Sequence, residues 1–189
     1  MQFIASRGSV RVAVLGAGRI GSVLAWGFRN CGFSVVATAR SEEKLRAVSS
    51  LGVEATRDNR GAVRSSDVVV ICVKPFQLPG LVEEIRGVVG EKVVVSVVAG
   101  VRRSTLEEVL GARRVYRAMP NINVRVAMSS TALTGPQDGV ASATVEELFK
   151  CVGSVYWVPE EWLDVWTAIS GSLPAYIAVL VDSIALGAT

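Results

Sequence analysis

Histidine is absent from all 189 residues. A zinc site or a histidine-assisted nucleophile has no imidazole to draw on, so no metal centre is expected. Cysteine is scarce. Cys31, Cys72 and Cys151 are odd in number, far apart and without a C-x-x-C pair. They read as reduced thiols in the core of a cytoplasmic protein. Charge of one sign is also missing. The net charge is +3, and the densest basic spots, Arg102-Arg103 and Arg113-Arg114, are too small to make a nucleic-acid stripe, so no nucleic-acid partner is expected. The first nine residues hold one arginine and no long apolar stretch, which does not fit a signal peptide.

What the chain does have is apolar residues, half of the total, enough for a sizeable core. It also has a glycine pattern that organises the rest. The β-branched run from Val10 ends in Leu15-Gly16-Ala17-Gly18-Arg19-Ile20-Gly21, and helical spacing follows from Ser22 to Asn30. Strand, G-x-G-x-x-G turn and helix in that order outline a dinucleotide site. Gly16 would permit the turn, Gly18 would admit a pyrophosphate, and Gly21 would let the helix pack close to the strand. The helix dipole and free N–H groups would face the phosphates.

A second, parallel strand reads from Ser34 to Arg40. Enzymes that take NAD usually place Asp or Glu at its end to hold the ribose 2′-hydroxyl. Here stand Thr38, Ala39, Arg40 and Ser41, with Lys44 a turn later, a set that suits a 2′-phosphate. NADP is therefore the expected cofactor, with NAD possible. The plainer reading is that Ser41 caps the next helix and Arg40 is solvated. Arg57 to Gly61, including Asn59, reads as a polar turn. Asp67 to Val73 is an almost unbroken apolar strand, as expected of a central position. Lys74-Pro75 ends it, and Lys74 is either a ligand-facing group at a strand's carboxyl end or an ordinary surface lysine.

Further strands are expected at Lys92 to Val98, Arg113 to Met119, Ser130 to Thr134 and Ser154 to Val158. Helices are expected at Leu78 to Val89, Ser104 to Leu110 and Ala143 to Val152. Ser104-Thr105-Leu106-Glu107 has the spacing of a capping box. Small residues at Ala99-Gly100 leave room for a flat ring. Alternating strands and helices over residues 1–158 argue a doubly wound α/β domain. Residues 159–189 then read as two helices, Glu160 to Ile169 and Pro174 to Ala188, joined by Ser170-Gly171-Ser172-Leu173. The second is apolar nearly all round. It looks too short for a membrane span and carries Asp182, so burial against a partner subunit or a continuation of the chain is expected instead.

The glycine turn, Val73-Lys74-Pro75, Val98-Ala99-Gly100-Val101, Arg117-Ala118-Met119-Pro120-Asn121 and Ile169-Ser170-Gly171-Ser172-Leu173-Pro174-Ala175-Tyr176 together resemble the pyrroline-5-carboxylate reductase family. The likeness runs from Val12 to about Leu186. It implies a Rossmann-type domain followed by the start of an all-α dimerisation domain, and the NADPH-dependent reduction of a cyclic imino acid, 1-pyrroline-5-carboxylate, to L-proline. It implies that Leu15 to Ile20 and Thr38 to Ser41 hold the phosphates, that Asn59 touches the cofactor, and that Cys72 to Pro75 and Val98 to Gly100 line the nicotinamide. Asn121, Ser170, Gly171 and Ser172 would lie on the substrate side. A homodimer or larger assembly through the C-terminal helix follows as well.

The chain departs from the family at Leu173, where glycine is usual, and at Ile122-Asn123, where threonine-proline is usual. The family also continues past the position of Thr189 with a stretch that holds the substrate carboxylate. A longer parent protein or a shortened relative is therefore expected. The rival expectation is a non-catalytic NADP-binding module that assembles through its apolar helix. No single catalytic side chain is assigned, because a protonated cyclic imine takes a hydride at carbon without a strong protein acid.

Overall fold

The computed structural model describes residues 7–188; most of the segment read for a leader, residues 1–6, and Thr189 lie outside the described residues. Five strands come first: β1 (Arg11–Leu15), β2 (Ser34–Thr38), β3 (Glu54–Thr56), β4 (Val68–Ile71) and β5 (Val93–Ser96). Then come β6 (Arg114–Met119), β7 (Ser129–Thr134) and β8 (Gly153–Trp157). All eight form one sheet in the order β3-β2-β1-β4-β5-β6-β7-β8. The order reverses between β1 and β4, the position where open α/β sheets bind ligands.

Side-chain alternation along the strands feeds two cores. Val12, Val14, Val68 and Val70 point to the face covered by α1 (Gly21–Asn30) and α6 (Val140–Lys150), packing on Leu24, Phe28, Leu148 and Phe149. Ala13, Leu15, Val69 and Ile71 point to the other face. There α3 (Asn59–Arg64), α4 (Leu78–Val89) and α5 (Arg103–Leu110) supply Val63, Ile85 and Leu106. The short helix α2 (Glu42–Ser49) adds only Val48 to the first core. Strands covered on both faces must be apolar throughout, which is why β4 has four buried residues out of four.

Four findings add to or correct the expectations. First, the doubly wound sheet carries one antiparallel pair: β7 runs antiparallel to β6, while β8 is parallel to β7. The link from β6 to β7 holds only a single-turn 3-10 segment, Ile122–Val126, and lacks the helix that a parallel crossover needs. Second, Cys31 and Cys151 are not reduced thiols. They form a disulfide, with Cα atoms 5.9 Å apart, between the ends of α1 and α6. Only Cys72 is free.

Third, Ser104 does not head a capping box. The helix starts a residue earlier, Arg102 stands at its N-cap, and the N–H of Arg103 donates instead to Oε1 of Glu160 at 2.6 Å. Fourth, Ser170 to Leu173 is not a link between helices. One continuous helix runs from Glu160 to Gly187. It opens with a 3-10 turn (Glu160–Trp162) and passes through α7 (Leu163–Trp166), a π-helical turn (Thr167–Ser172) and α8 (Leu173–Gly187). The cause is Pro174, which lacks an N–H for the carbonyl of Ser170 and would clash with it in α-helical geometry. Widening the preceding turn relieves both problems without ending the helix.

Candidate active site

The glycine turn sits at the switch point, held from behind by β2. The Gly16 N–H shares the carbonyl and hydroxyl oxygens of Thr38 at 3.2 Å each, and the Ala17 N–H donates to the same carbonyl at 2.7 Å. Thr38 is buried. It therefore shapes the turn. Gly16 has φ +101° and its α-carbon faces β4, where a methyl would stand 2.6 Å from the carbonyl oxygen of Cys72. Gly21 abuts the Gly16 carbonyl too closely for any side chain. Gly18 is the opposite case: a methyl there would meet nothing within 4 Å.

Among the described residues no hydrogen bond takes the N–H groups of Arg19 or Ile20, which lie just before the ten-residue α1. Unpaired amides, an open glycine face and a helix N-terminus form a cradle that fits a pyrophosphate. The 2′ end fits as well. Ser41 takes the N-cap position of α2, yet its hydroxyl makes no capping bond. Arg40 and Lys44 are exposed and hold no ion pair among the described residues. A free hydroxyl and two free cations at the end of β2 suit a phosphate dianion.

Across the switch point, β4 leads into Cys72-Val73-Lys74-Pro75. The Cys72 N–H bonds the Leu15 carbonyl at 2.8 Å, which fixes this strand end beside the turn. Burial pushes the Cys72 thiol up to about 12, with Lys74 opposing only partly, so it stays protonated and is no nucleophile. Lys74 itself is exposed at the site edge and its N–H bonds Gln77 at 3.2 Å. Just past β5, Val98 is buried while Ala99 and Gly100 are exposed. Asn59 opens α3 and donates to Glu84 at 2.6 Å. The structure makes it a helical residue, not part of a turn.

Asn121 and Ser170, both expected on the substrate side, are brought together. Asn121 is buried, and its side-chain oxygen accepts from the Asn123 N–H at 3.1 Å while its amide donates to the Ser170 hydroxyl at 3.0 Å. The N–H groups of Ser170, Gly171 and Ser172 lie inside the helix, so they do not open towards a carboxylate. A cavity of about 500 Å³ beside them is lined by Ser130, Trp162, Val165, Trp166, Ile169 and Ser170. Another, of about 410 Å³, opens at the far ends of the strands near Asp67 and Arg114 and touches no candidate residue.

One contact went unread in the sequence. Arg117, on β6, has a side chain only 5% exposed and pairs with Glu160 at 2.9 Å. A charged residue between Tyr116 and Ala118 in an apolar strand was the available signal, since a buried cation requires a partner.

The family described as NADP oxidoreductase coenzyme F420-dependent matches residues 11–100. Pyrroline-5-carboxylate reductase from Methanosarcina acetivorans is 33% identical, over 94% of this chain and 69% of that protein. The chain belongs to the pyrroline-5-carboxylate reductase family. Among solved structures, the Coxiella burnetii reductase of this name is 31% identical with a TM-score of 0.86, covering 95% of this chain and 70% of that one. The Plasmodium falciparum pyrroline carboxylate reductase, solved with NADP bound, shares the fold at a TM-score of 0.81 and 22% identity, over 94% and 68% of the two chains. As a pyrroline-5-carboxylate reductase relative the chain is an NADP-dependent oxidoreductase acting on a C=N bond, and the binding-module alternative is not favoured.

Proposed function

We propose that this chain runs its family's reaction, the NADPH-dependent reduction of 1-pyrroline-5-carboxylate to L-proline, at the carboxyl edge of the sheet. The cradle around Gly18 carries the proposal, because it is open where a pyrophosphate would lie and closed elsewhere by backbone contacts. Bound there, NADPH would supply the hydride. The turn from Leu15 to Gly21 holds the diphosphate, Arg40 and Ser41 take the 2′-phosphate, and Asn59 stands along the edge at the opening of α3. The strand ends at Cys72 to Pro75 and Val98 to Gly100 bound the nicotinamide. Asn121 seats Ser170, so that the helix segment Ser170-Gly171-Ser172 walls the substrate side. The protonated imine brings its own positive charge, so the protein orients the ring and needs no acid beside it.

The long helix has a second role in the proposal. Its 28 residues are long and apolar enough to cross a membrane. However, Leu163 is buried and Ser170 is tied to Asn121, which anchors the first half to the sheet. The second half, Leu173–Gly187, is exposed along its length. An anchored first half and an exposed apolar second half support packing against a second copy of the chain.

Incubating the chain with NADPH and 1-pyrroline-5-carboxylate tests the reaction. Loss of nicotinamide absorbance with matching formation of L-proline is expected. NADPH that stays unoxidised in the presence of this substrate would refute the assignment.

A further inference from the structure

Glu42 is out of place at a site built for a phosphate dianion. It is the first residue of α2, directly after Ser41, where a bare carboxylate would repel a 2′-phosphate. Two guanidinium groups cover it. Arg57 Nη2 lies 2.9 Å from one carboxylate oxygen and Arg46 Nε lies 3.4 Å from the other. Arg57 reaches this position through the strand register. Thr56 pairs with Thr38 at the ends of β3 and β2, and the Ala39 N–H bonds the Thr56 carbonyl at 3.2 Å. Arg57 therefore emerges beside the Arg40-Ser41 corner.

We propose that Arg57 is a specificity-determining residue for NADPH over NADH, and that it acts by neutralising Glu42 while Arg40, Ser41 and Lys44 are left to hold the phosphate. The proposal rests on NADPH occupying this edge. All three partners are exposed, with side-chain accessibilities of 61% for Arg57, 56% for Glu42 and 79% for Arg46. Such pairs contribute little to stability, so removing them leaves the fold intact. Their effect on a nearby dianion is another matter, since an unmasked charge several ångströms away in water still changes affinity by roughly five- to tenfold.

The test is a double-mutant cycle on the full chain, reading dissociation constants of NADPH and NADH by nicotinamide fluorescence at low salt. Arg57→Ala is expected to weaken NADPH roughly five- to tenfold and to leave NADH within about twofold. Adding Glu42→Gln removes the uncovered carboxylate and is expected to return the Arg57→Ala variant to within about twofold of the parent's NADPH affinity. Added salt should shrink the difference between the cofactors. An equal loss for both cofactors, no loss for either, or an NADPH loss that the added Glu42→Gln does not restore would overturn the proposal. The last result would put Arg57 on the phosphate itself. Failure of the unsubstituted chain to bind NADPH would instead refute the cofactor assignment on which the proposal stands.

Discussion

Gly16 and Gly18 stand two residues apart and answer the same substitution in opposite ways. Alanine at Gly16 would combine a left-handed backbone with a methyl against the Cys72 carbonyl, so Gly16→Ala is expected to lower stability by about 2 kcal/mol or more in urea unfolding. Alanine at Gly18 meets no atom of the protein. Gly18→Ala should unfold at the same denaturant concentration as the parent and yet lose most of its NADPH affinity in a titration. Equal stability losses for the two variants would mean that Gly18 is not on the cofactor face. Arg40 provides the charge test: Arg40→Glu should weaken NADPH far more than NADH, because a repelling carboxylate replaces a phosphate partner. The glycine spacing made these residues legible. The turn-holding bond of Thr38 was hidden, because only the folded register brings its hydroxyl to the Gly16 N–H.

At the scale of elements, Glu160 joins three of them. It accepts from the N–H that opens α5, pairs with buried Arg117 on β6, and starts the long helix. Burial pushes its carboxyl up, but the Arg103 N–H bond, the Arg117 hydrogen bond and the charges of both arginines outweigh that and leave it below the ordinary value of 4.5. A carboxyl lowered on folding stabilises the folded state above its unfolded value, and that contribution is lost as pH falls through the lowered one. Stability should therefore decline below about pH 4.5, and less steeply in Glu160→Gln. Glu160→Ala strands a buried cation and is expected to cost about 3–5 kcal/mol at neutral pH by thermal or urea unfolding. Replacing both partners, Arg117→Met with Glu160→Leu, should recover much of it; no recovery would mean that the cost does not come from the unpaired charge.

The same scale shows what sequence patterns convey. Four-residue β4 and twelve-residue α4 were legible because burial on both faces, or on one helical stripe, writes itself into the spacing. The antiparallel β7 was legible in principle, from the missing helix before it. The unbroken helix through Ser170 was not, because a proline after a polar, glycine-containing stretch signals a helix start just as well as a π-turn. Glu160 as a distant cap for α5 was equally hidden, since its partner lies 57 residues away.

For the molecule as a whole, the Cys31–Cys151 disulfide ties the first helix to the end of the sixth across 120 residues. Loop-closure arguments give such a link up to about 5 kcal/mol. Cys31→Ser should lower the melting temperature under oxidising conditions and remove its dependence on reductant. The odd cysteine count and the long separation concealed this pair, since nothing local marks two residues that meet only when the sheet is complete. The exposed face of α8 makes a second prediction. Placing a charge on it, for example Leu180→Arg, should shift sedimentation from dimer to monomer.

The central claim is that NADPH lies across the switch point with its diphosphate on the turn from Gly16 to Gly21. Titration of the chain with NADPH and NADH, followed by nicotinamide fluorescence, tests it most directly. Saturable binding of one cofactor per chain is expected, tighter for NADPH and abolished by Gly18→Ala in a protein that remains folded. No saturable uptake of either coenzyme, or uptake indifferent to Gly18, would contradict it.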